Sequence, residues 1–277
     1  MTNWSKISKF ENGEMNGLLE AVHDSIGIDF SDYAQASLQR RIIRFNDIAR
    51  LNDIDELIYK IKFESGFAAH FINEITVNVS EMFRDPTFWK IIRDLVLPEL
   101  SRKSVINIWH AGCSMGEEVF TMAIMLKEAG LLAKSRLTAT DININALNIA
   151  RSGLSLLKNQ EVNSLNYQNY GGTCKLEDYF TVADNKVGFN KELLRKLEFK
   201  KHDLSTNGHF GMFDLIICRN VFIYFNSDLQ EKVLAVFNQS MVKDSFLGIG
   251  SKESIAYCRG AGNLRSVSVE EKIFRRI

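Results

Sequence analysis

The sequence predicts an α/β protein with a mostly parallel sheet, preceded by a small all-α domain. Three observations lead there. Residues 1–75 carry apolar side chains at helical spacing and show no strand-like alternation. From Val105 onward, short β-rich apolar runs alternate with helical stretches. These runs end in polar residues, and a glycine-bearing turn that opens a helix follows the first of them.

In the N-terminal segment, Ala34, Leu38, Ile42, Phe45 and Ala49 share one face of a helix over 31–50, with Asp29 or Ser31 as candidate cap. Arg40 and Arg44 project together from roughly the opposite face, with Arg41 at the flank. Ile54, Leu57, Ile58 and Ile61 mark a second helix, and Phe67, Phe71, Ile72 and Ile75 a third. The segment holds 8 basic and 12 acidic side chains, so the arginines stand against an acidic background. Residues 76–104 read as a linker and helix leading into the sheet domain, 105–277.

Within that domain the expected strands are 105–109, 136–141, 197–204, 213–218 and 246–250. Helical stretches over 119–129, 144–151 and 227–242 separate them, and SVSVE and KIFRRI form a closing antiparallel pair. Strands alternating with helices imply right-handed βαβ crossovers, whose ligands bind at the carboxyl ends of the strands. The alternation is interrupted between Ser152 and Leu197, where Tyr179–Val182 and Lys186–Phe189 flank a polar turn. A small inserted β-hairpin subdomain over about 170–195 is expected there.

Composition excludes several classes. The 277 residues are 45% apolar and 25% charged, ample for a core. Thirty-four basic residues balance thirty-four acidic ones, which argues against a phosphate track for nucleic acid. The N-terminus MTNWSKISKFENGEMNG has no hydrophobic signal segment, and no apolar run reaches the roughly 18 residues of a membrane span. A cytoplasmic protein without membrane insertion is expected. Cys113, Cys174, Cys218 and Cys258 are scattered without CxxC spacing, so free thiols and no metal site are expected.

Gly112 and Gly116 let the backbone turn tightly and approach a ligand, but GxxxG is neither a dinucleotide fingerprint nor a P-loop. Asp141, ending the second strand, suits ribose hydroxyls, or alternatively caps the next helix. The pair Glu117-Glu118 would repel a pyrophosphate and attract an ammonium group. A ribose, a free amino group and no phosphate together describe S-adenosylmethionine.

The blocks LQRRIIR (38–44), ITVNVSEMFRDPTFW (75–89), IWHAGCSMGEEVFTMA (108–123), ATDININALNIARSG (139–153), FDLIICRNVFIYF (213–225) and LGIGSKESI (247–255) resemble, in order and spacing, the CheR family of chemotaxis receptor glutamate methyltransferases. The resemblance implies a class I S-adenosylmethionine-dependent methyltransferase fold behind a small helical domain. It places Asn78, Ser80 and Arg84 over the cofactor, with Ser80 where threonine is commoner. It gives the methionyl ammonium to Glu117 or Glu118, the ribose to Asp141, and the adenine side to Asp203 and Leu204, where asparagine is usual at the first position. Arg219 and Asn220 would line the pocket beside the sulfonium, and Tyr224 would lie near the transferred methyl.

The implied reaction methylates the γ-carboxylate of receptor glutamates. An ionised carboxylate needs alignment and desolvation rather than a general base, so no Ser–His or His–Asp constellation is required. Arg84 would clamp either the methionyl carboxylate or the substrate carboxylate. Arg40, Arg41 and Arg44 would contact the acidic helical cytoplasmic region of a receptor. The stretch 181–194 has one glycine and no arginine, so binding of a receptor's pentapeptide tether is not expected. The competing readings are a methyltransferase acting on another protein or a small molecule, and a non-catalytic S-adenosylmethionine sensor.

Overall fold

The computed structural model describes residues 12–76, 81–156, 159–183 and 186–277. It opens with four helices, α1 (Asn12–Ile26), α2 (Gln35–Ala49), α3 (Ile54–Phe63) and α4 (Phe67–Ile75). Their apolar stripes close on one core that includes Leu18, Leu38, Ile42, Phe45, Leu57, Phe71 and Ile72. The helical spacing read for α2 to α4 matches this burial, and α1 adds a helix to the three expected. The cap of α2 differs: Ala34 occupies that position, while Asp29 accepts the Ser31 amide at 2.8 Å instead. Asp53 caps α3 as an acceptor for the Glu56 amide.

A helical connector follows, with α5 (Pro86–Ile91), a π-helical turn (Ile92–Val96) and α6 (Leu97–Leu100). The sheet domain then runs β1 (Ile106–Ala111), α7 (Glu117–Glu128), β2 (Ser135–Asp141), α8 (Ile144–Ser152), β3 (Leu154–Leu156), α9 (Gln160–Tyr170), β4 (Phe180–Ala183), β5 (Lys186–Phe189), α10 (Lys191–Leu194) and β6 (Leu197–Lys201). It finishes with β7 (Phe213–Cys218), α11 (Ser227–Ser240), β8 (Met241–Ile249), β9 (Leu264–Ser268) and β10 (Ile273–Arg276).

The main sheet has seven strands in the order β6-β2-β1-β7-β8-β10-β9. The first five are parallel, and β10 runs antiparallel to both β8 and β9. This is the mostly parallel sheet that the resemblance implies. Alternation within each strand feeds two cores: Ile108, Leu215, Ile217 and Phe246 pack to one, and Trp109, Ile216, Cys218 and Leu247 to the other. Burial on both faces explains why LIIC (215–218) reads as an unbroken apolar run.

The insertion is larger than the expected hairpin. It forms a three-stranded antiparallel sheet, β3-β5-β4, whose first strand leaves directly after α8, and it carries helix α9. Strand β8 begins at Met241 rather than 246, and β6 stops at Lys201 rather than 204. Among the described residues, no helix is long and apolar enough to cross a membrane.

Candidate functional site

The strand order reverses at β1, whose neighbours are β2 on one side and β7 on the other. A cleft of about 330 Å³ opens there, at the carboxyl ends of the strands. Its walls come from the β1–α7 turn, the ends of β2 and β6, the segment after β7, the linker before α5, and the helical domain.

The β1–α7 turn approaches closely because Gly112 has φ +76°, and a Cβ there would meet Val221 Cγ2 at 2.5 Å. Glu117 and Glu118 then open α7, where the helix dipole favours acids, yet they diverge. Glu117 is buried and does not line the cleft; burial raises its pKa to about 7, and Oε2 has no partner among the described residues. Glu118 lines the cleft, with Oε1 2.9 Å from Nδ1 of the buried His110 and Oε2 3.6 Å from Arg219 Nη1. Of the two carboxylates, only Glu118 lines the cleft.

Asp141 also lines the cleft, and Asn143 rather than Asp141 caps α8. Its Oδ2 accepts the Ser114 amide at 2.8 Å and its Oδ1 the Asn143 amide at 2.9 Å. Burial nevertheless raises the Asp141 pKa, the amides pulling the other way. Asp203 and Leu204 follow β6 on the same wall. Asp203 Oδ1 accepts from the Ser205 amide and hydroxyl, while its buried Oδ2 has no partner among the described residues. An orphaned buried acceptor beside two further acids suits a ligand rich in donors.

Cations line the cleft as well. Arg84 stands between Phe83 and Asp85, both at positive φ, in a turn that Pro86 closes as the first residue of α5. The turn is anchored from below, where Thr121 Oγ1 accepts the Phe83 amide and Asn163 Oδ1 accepts the Met82 amide. Among the described residues, no hydrogen bond or ion pair engages the Arg84 guanidinium. Arg219, by contrast, is buried and committed: it pairs with Asp85 at 2.5 Å and lies 4.3 Å over the Phe88 ring. Asn220 follows with φ +60°, and the next turn brings Tyr224 to the wall.

The three arginines of α2 part company. Arg40 and Arg44 are exposed and outside the cleft. Arg41 is not on that outer surface but in the cleft wall, its guanidinium carbon 4.0 Å over the Tyr224 ring and its Nη1 donating to Ile75 O at 2.9 Å. The domains meet at this point, since the Ala34 amide donates to Tyr224 O and Tyr33 bridges to Phe225. Sequence reasoning missed Tyr33, Glu81 and His202, which also line the cleft, and His110, which holds Glu118. Only His110 carried a signal, as a polar residue inside a buried strand. Asn78 and Ser80 lie outside the described residues.

Comparison with known proteins bears on the family and its two domains. The family model described as "CheR methyltransferase, SAM binding domain" matches residues 78–270, and that described as "CheR methyltransferase, all-alpha domain" matches residues 13–76. The chain is 35% identical over 263 residues to a provisionally named Cher3 methyltransferase of Pseudomonas putida, covering 95% of this chain and 96% of that one. It is 31% identical over 283 residues to a chemotaxis protein methyltransferase of Borreliella burgdorferi, covering 96% of each. A chemotaxis protein methyltransferase of Listeria innocua is 28% identical over 236 residues, 84% of this chain and 87% of that one.

Proposed function

This chain belongs to the CheR methyltransferase family, and from that premise we propose that it methylates the γ-carboxylates of glutamates in the helical cytoplasmic region of chemotaxis receptors. It is an S-adenosylmethionine-dependent methyltransferase with an S-adenosylmethionine-binding domain. The observation that carries the finer reading is the mixed charge of the cleft: the acids Glu118, Asp141 and Asp203 line it together with an uncommitted arginine, Arg84, and with Arg41 stacked on Tyr224.

In this reading the acidic side holds the cofactor. Asp141 binds the ribose, Asp203 and Leu204 take the adenine, and Glu118, not Glu117, takes the methionyl ammonium. Gly112 brings the backbone close, and Arg219 and Asn220 line the wall beside the sulfonium. The cofactor supplies an electrophilic methyl group when bound.

The cationic side receives the second substrate. A glutamate side chain, with an ordinary pKa of about 4.3, arrives ionised at neutral pH and gives up no proton before attack. The protein's residues therefore align it and exclude water. Arg84 offers a two-pronged donor for the carboxylate, and Tyr224, held under Arg41, fixes the approach. Oxygen and methyl carbon must meet at roughly 3–3.5 Å for a productive geometry. Arg40 and Arg44, exposed on α2, would steer the acidic receptor helix toward the cleft. The inserted sheet lacks arginine on β4 and β5, which supports a protein that docks without a tether.

Radiolabelled methyl transfer to receptor fragments tests this reading. The expected product is a protein ester that releases methanol in mild base. Label that stays base-stable, or that enters only small metabolites, would overturn it.

A further inference from the structure

Glu253 follows β8 in the GSKE turn and is 3% exposed. Its Oε2 accepts the Gly250 amide at 2.5 Å and the Asn220 amide at 3.0 Å, and its Oε1 accepts the Ile223 amide at 3.3 Å. The Val221 amide adds to the same cage. Among the described residues, no ion pair includes this carboxylate. A buried charge without a counter-ion is costly, and here the desolvation is offset by backbone donors. Desolvation still raises the Glu253 pKa against the pull of those amides.

Three of the four amides belong to the segment after β7 that builds the cleft wall. Asn220, Val221, Ile223 and Tyr224 all line it. Asn220 sits at φ +60°, a conformation costing about 1 kcal/mol or more for a residue with a side chain. Something must hold it, and the carboxylate does so from behind. From the other side the helical domain holds the same segment: Ala34 N–H donates to Tyr224 O at 2.8 Å, and Asn226 N–H to Asp32 O at 3.0 Å.

Gly250 gives an independent sign that this cage needs its room. A Cβ at Gly250 would lie 2.7 Å from Glu253 Oε2 and 3.2 Å from the Asn220 nitrogen. Its φ is not in the left-handed region, so space rather than backbone freedom accounts for the glycine.

We propose that Glu253 is a positioning residue for methyl transfer, holding the 220–224 backbone so that Asn220 and Tyr224 present their side chains to the cleft. The proposal rests on the reading that these two residues flank the reacting groups. It is tested with Glu253→Gln, which keeps one acceptor oxygen of two, Gly250→Ala, which displaces the carboxylate without changing its charge, and the double variant. Amide hydrogen exchange over 219–225 needs no methyl acceptor. Turnover on receptor fragments at saturating cofactor is measured alongside.

In each single variant, exchange at Asn220 and Ile223 should quicken by about tenfold or more and kcat should fall by about as much, the loss of a charged hydrogen bond. KM for the receptor should hold within about twofold, because the docking surface is untouched. The double variant should be no worse than the worse single one, since both act on one cage. A folded Glu253→Gln protein with unchanged exchange and kcat would overturn the proposal, as would additive losses in the double variant. Should Glu253→Gln fail to fold, Gly250→Ala decides by the same two readouts. If the unaltered protein methylates no receptor, the functional reading fails, and exchange still decides what Glu253 holds.

Discussion

Glu118→Gln is the substitution that best separates the two glutamates opening α7. In the structure, Glu118 has one oxygen on His110 Nδ1 at 2.9 Å and the other 3.6 Å from Arg219 Nη1, with the cleft beside it. Among the described residues His110 Nε2 is buried without a partner, so the ring's polar contact is the one Nδ1 makes with Glu118. A glutamine can still hydrogen-bond Nδ1 through its carbonyl oxygen. Its amide group then points toward Arg219 and the cleft, where it offers donors to two cations. The loss is thus a charge-assisted hydrogen bond plus a mispaired donor, about 2–3 kcal/mol, or roughly 30- to 150-fold in affinity. Calorimetric titration with S-adenosylhomocysteine measures it. Methylthioadenosine, which keeps the nucleoside and lacks the amino acid, should bind both proteins alike. Glu117→Gln should leave both affinities unchanged. Equal losses for the two ligands, or S-adenosylhomocysteine binding within threefold of the unaltered protein, would refute the assignment of the ammonium to Glu118.

Further outcomes follow from the same geometry. Asp141→Ala should weaken S-adenosylhomocysteine by about 1–3 kcal/mol in calorimetry on folded protein. Arg84→Ala should abolish turnover without unfolding, and a paired measurement of binding and kcat decides whether its partner is the cofactor or the substrate. Arg40→Glu with Arg44→Glu should slow receptor methylation most at low salt and leave S-adenosylhomocysteine affinity and Tm unchanged, since exposed charges fade beyond a Debye length of about 10 Å at 0.1 M. Glu117 has a folded pKa raised by burial to about 7 from 4.5, so its ionisation opposes folding. Stability should fall as pH rises from 4.5 through 7, and Glu117→Gln should remove that loss, worth about 3 kcal/mol at pH 8 and nothing below pH 4.5, in denaturant titrations.

How far the sequence foretold the fold depended on whether burial left a periodic trace. Strand β7 was legible because both faces are covered, and α2 because Leu38, Ile42 and Phe45 repeat at helical spacing. Helix α9 was not, because the residues it buries are Asn163, Tyr167 and Tyr170, which carry their polar atoms inward to specific partners. Asn163 accepts the Met82 amide, and Tyr167 bonds Glu128 and Cys174. Polar burial of this kind looks like surface in a sequence. The first half of β8 was hidden for another reason: Lys243 and Asp244 are exposed and Asp244 has positive φ, which breaks the alternation before Ser245. At the site, residues at strand ends were legible from topology alone, since parallel sheets bind ligands there. The choice between Glu117 and Glu118 was not, because neighbouring helical residues point about 100° apart and only the packed sheet decides which one enters the core.

Arg41 shows why the substrate side was the harder half to read. Its own helix assigns it to the flank of an apolar stripe, apart from Arg40 and Arg44, but nothing local says what that flank meets. Its place is fixed by Tyr224, a residue nearly two hundred positions away, and by the backbone bonds that dock Ala34 and Tyr33 onto the 224–225 segment. Of the acids of the cleft, Glu118, Asp141 and Asp203 come from the sheet domain, whereas Glu81 and Arg84 come from the connector and Arg41 from the helical domain. Arg219, the one cation that the sheet domain supplies to the cleft wall, is neutralised locally by Asp85 and Glu118. On the proposed reading, a sheet domain by itself would hold the cofactor and offer little to a carboxylate. Arg41 reaches the cleft because the helical domain is packed against Tyr224, so that reading makes recognition of an acidic partner and alignment for chemistry share one interface.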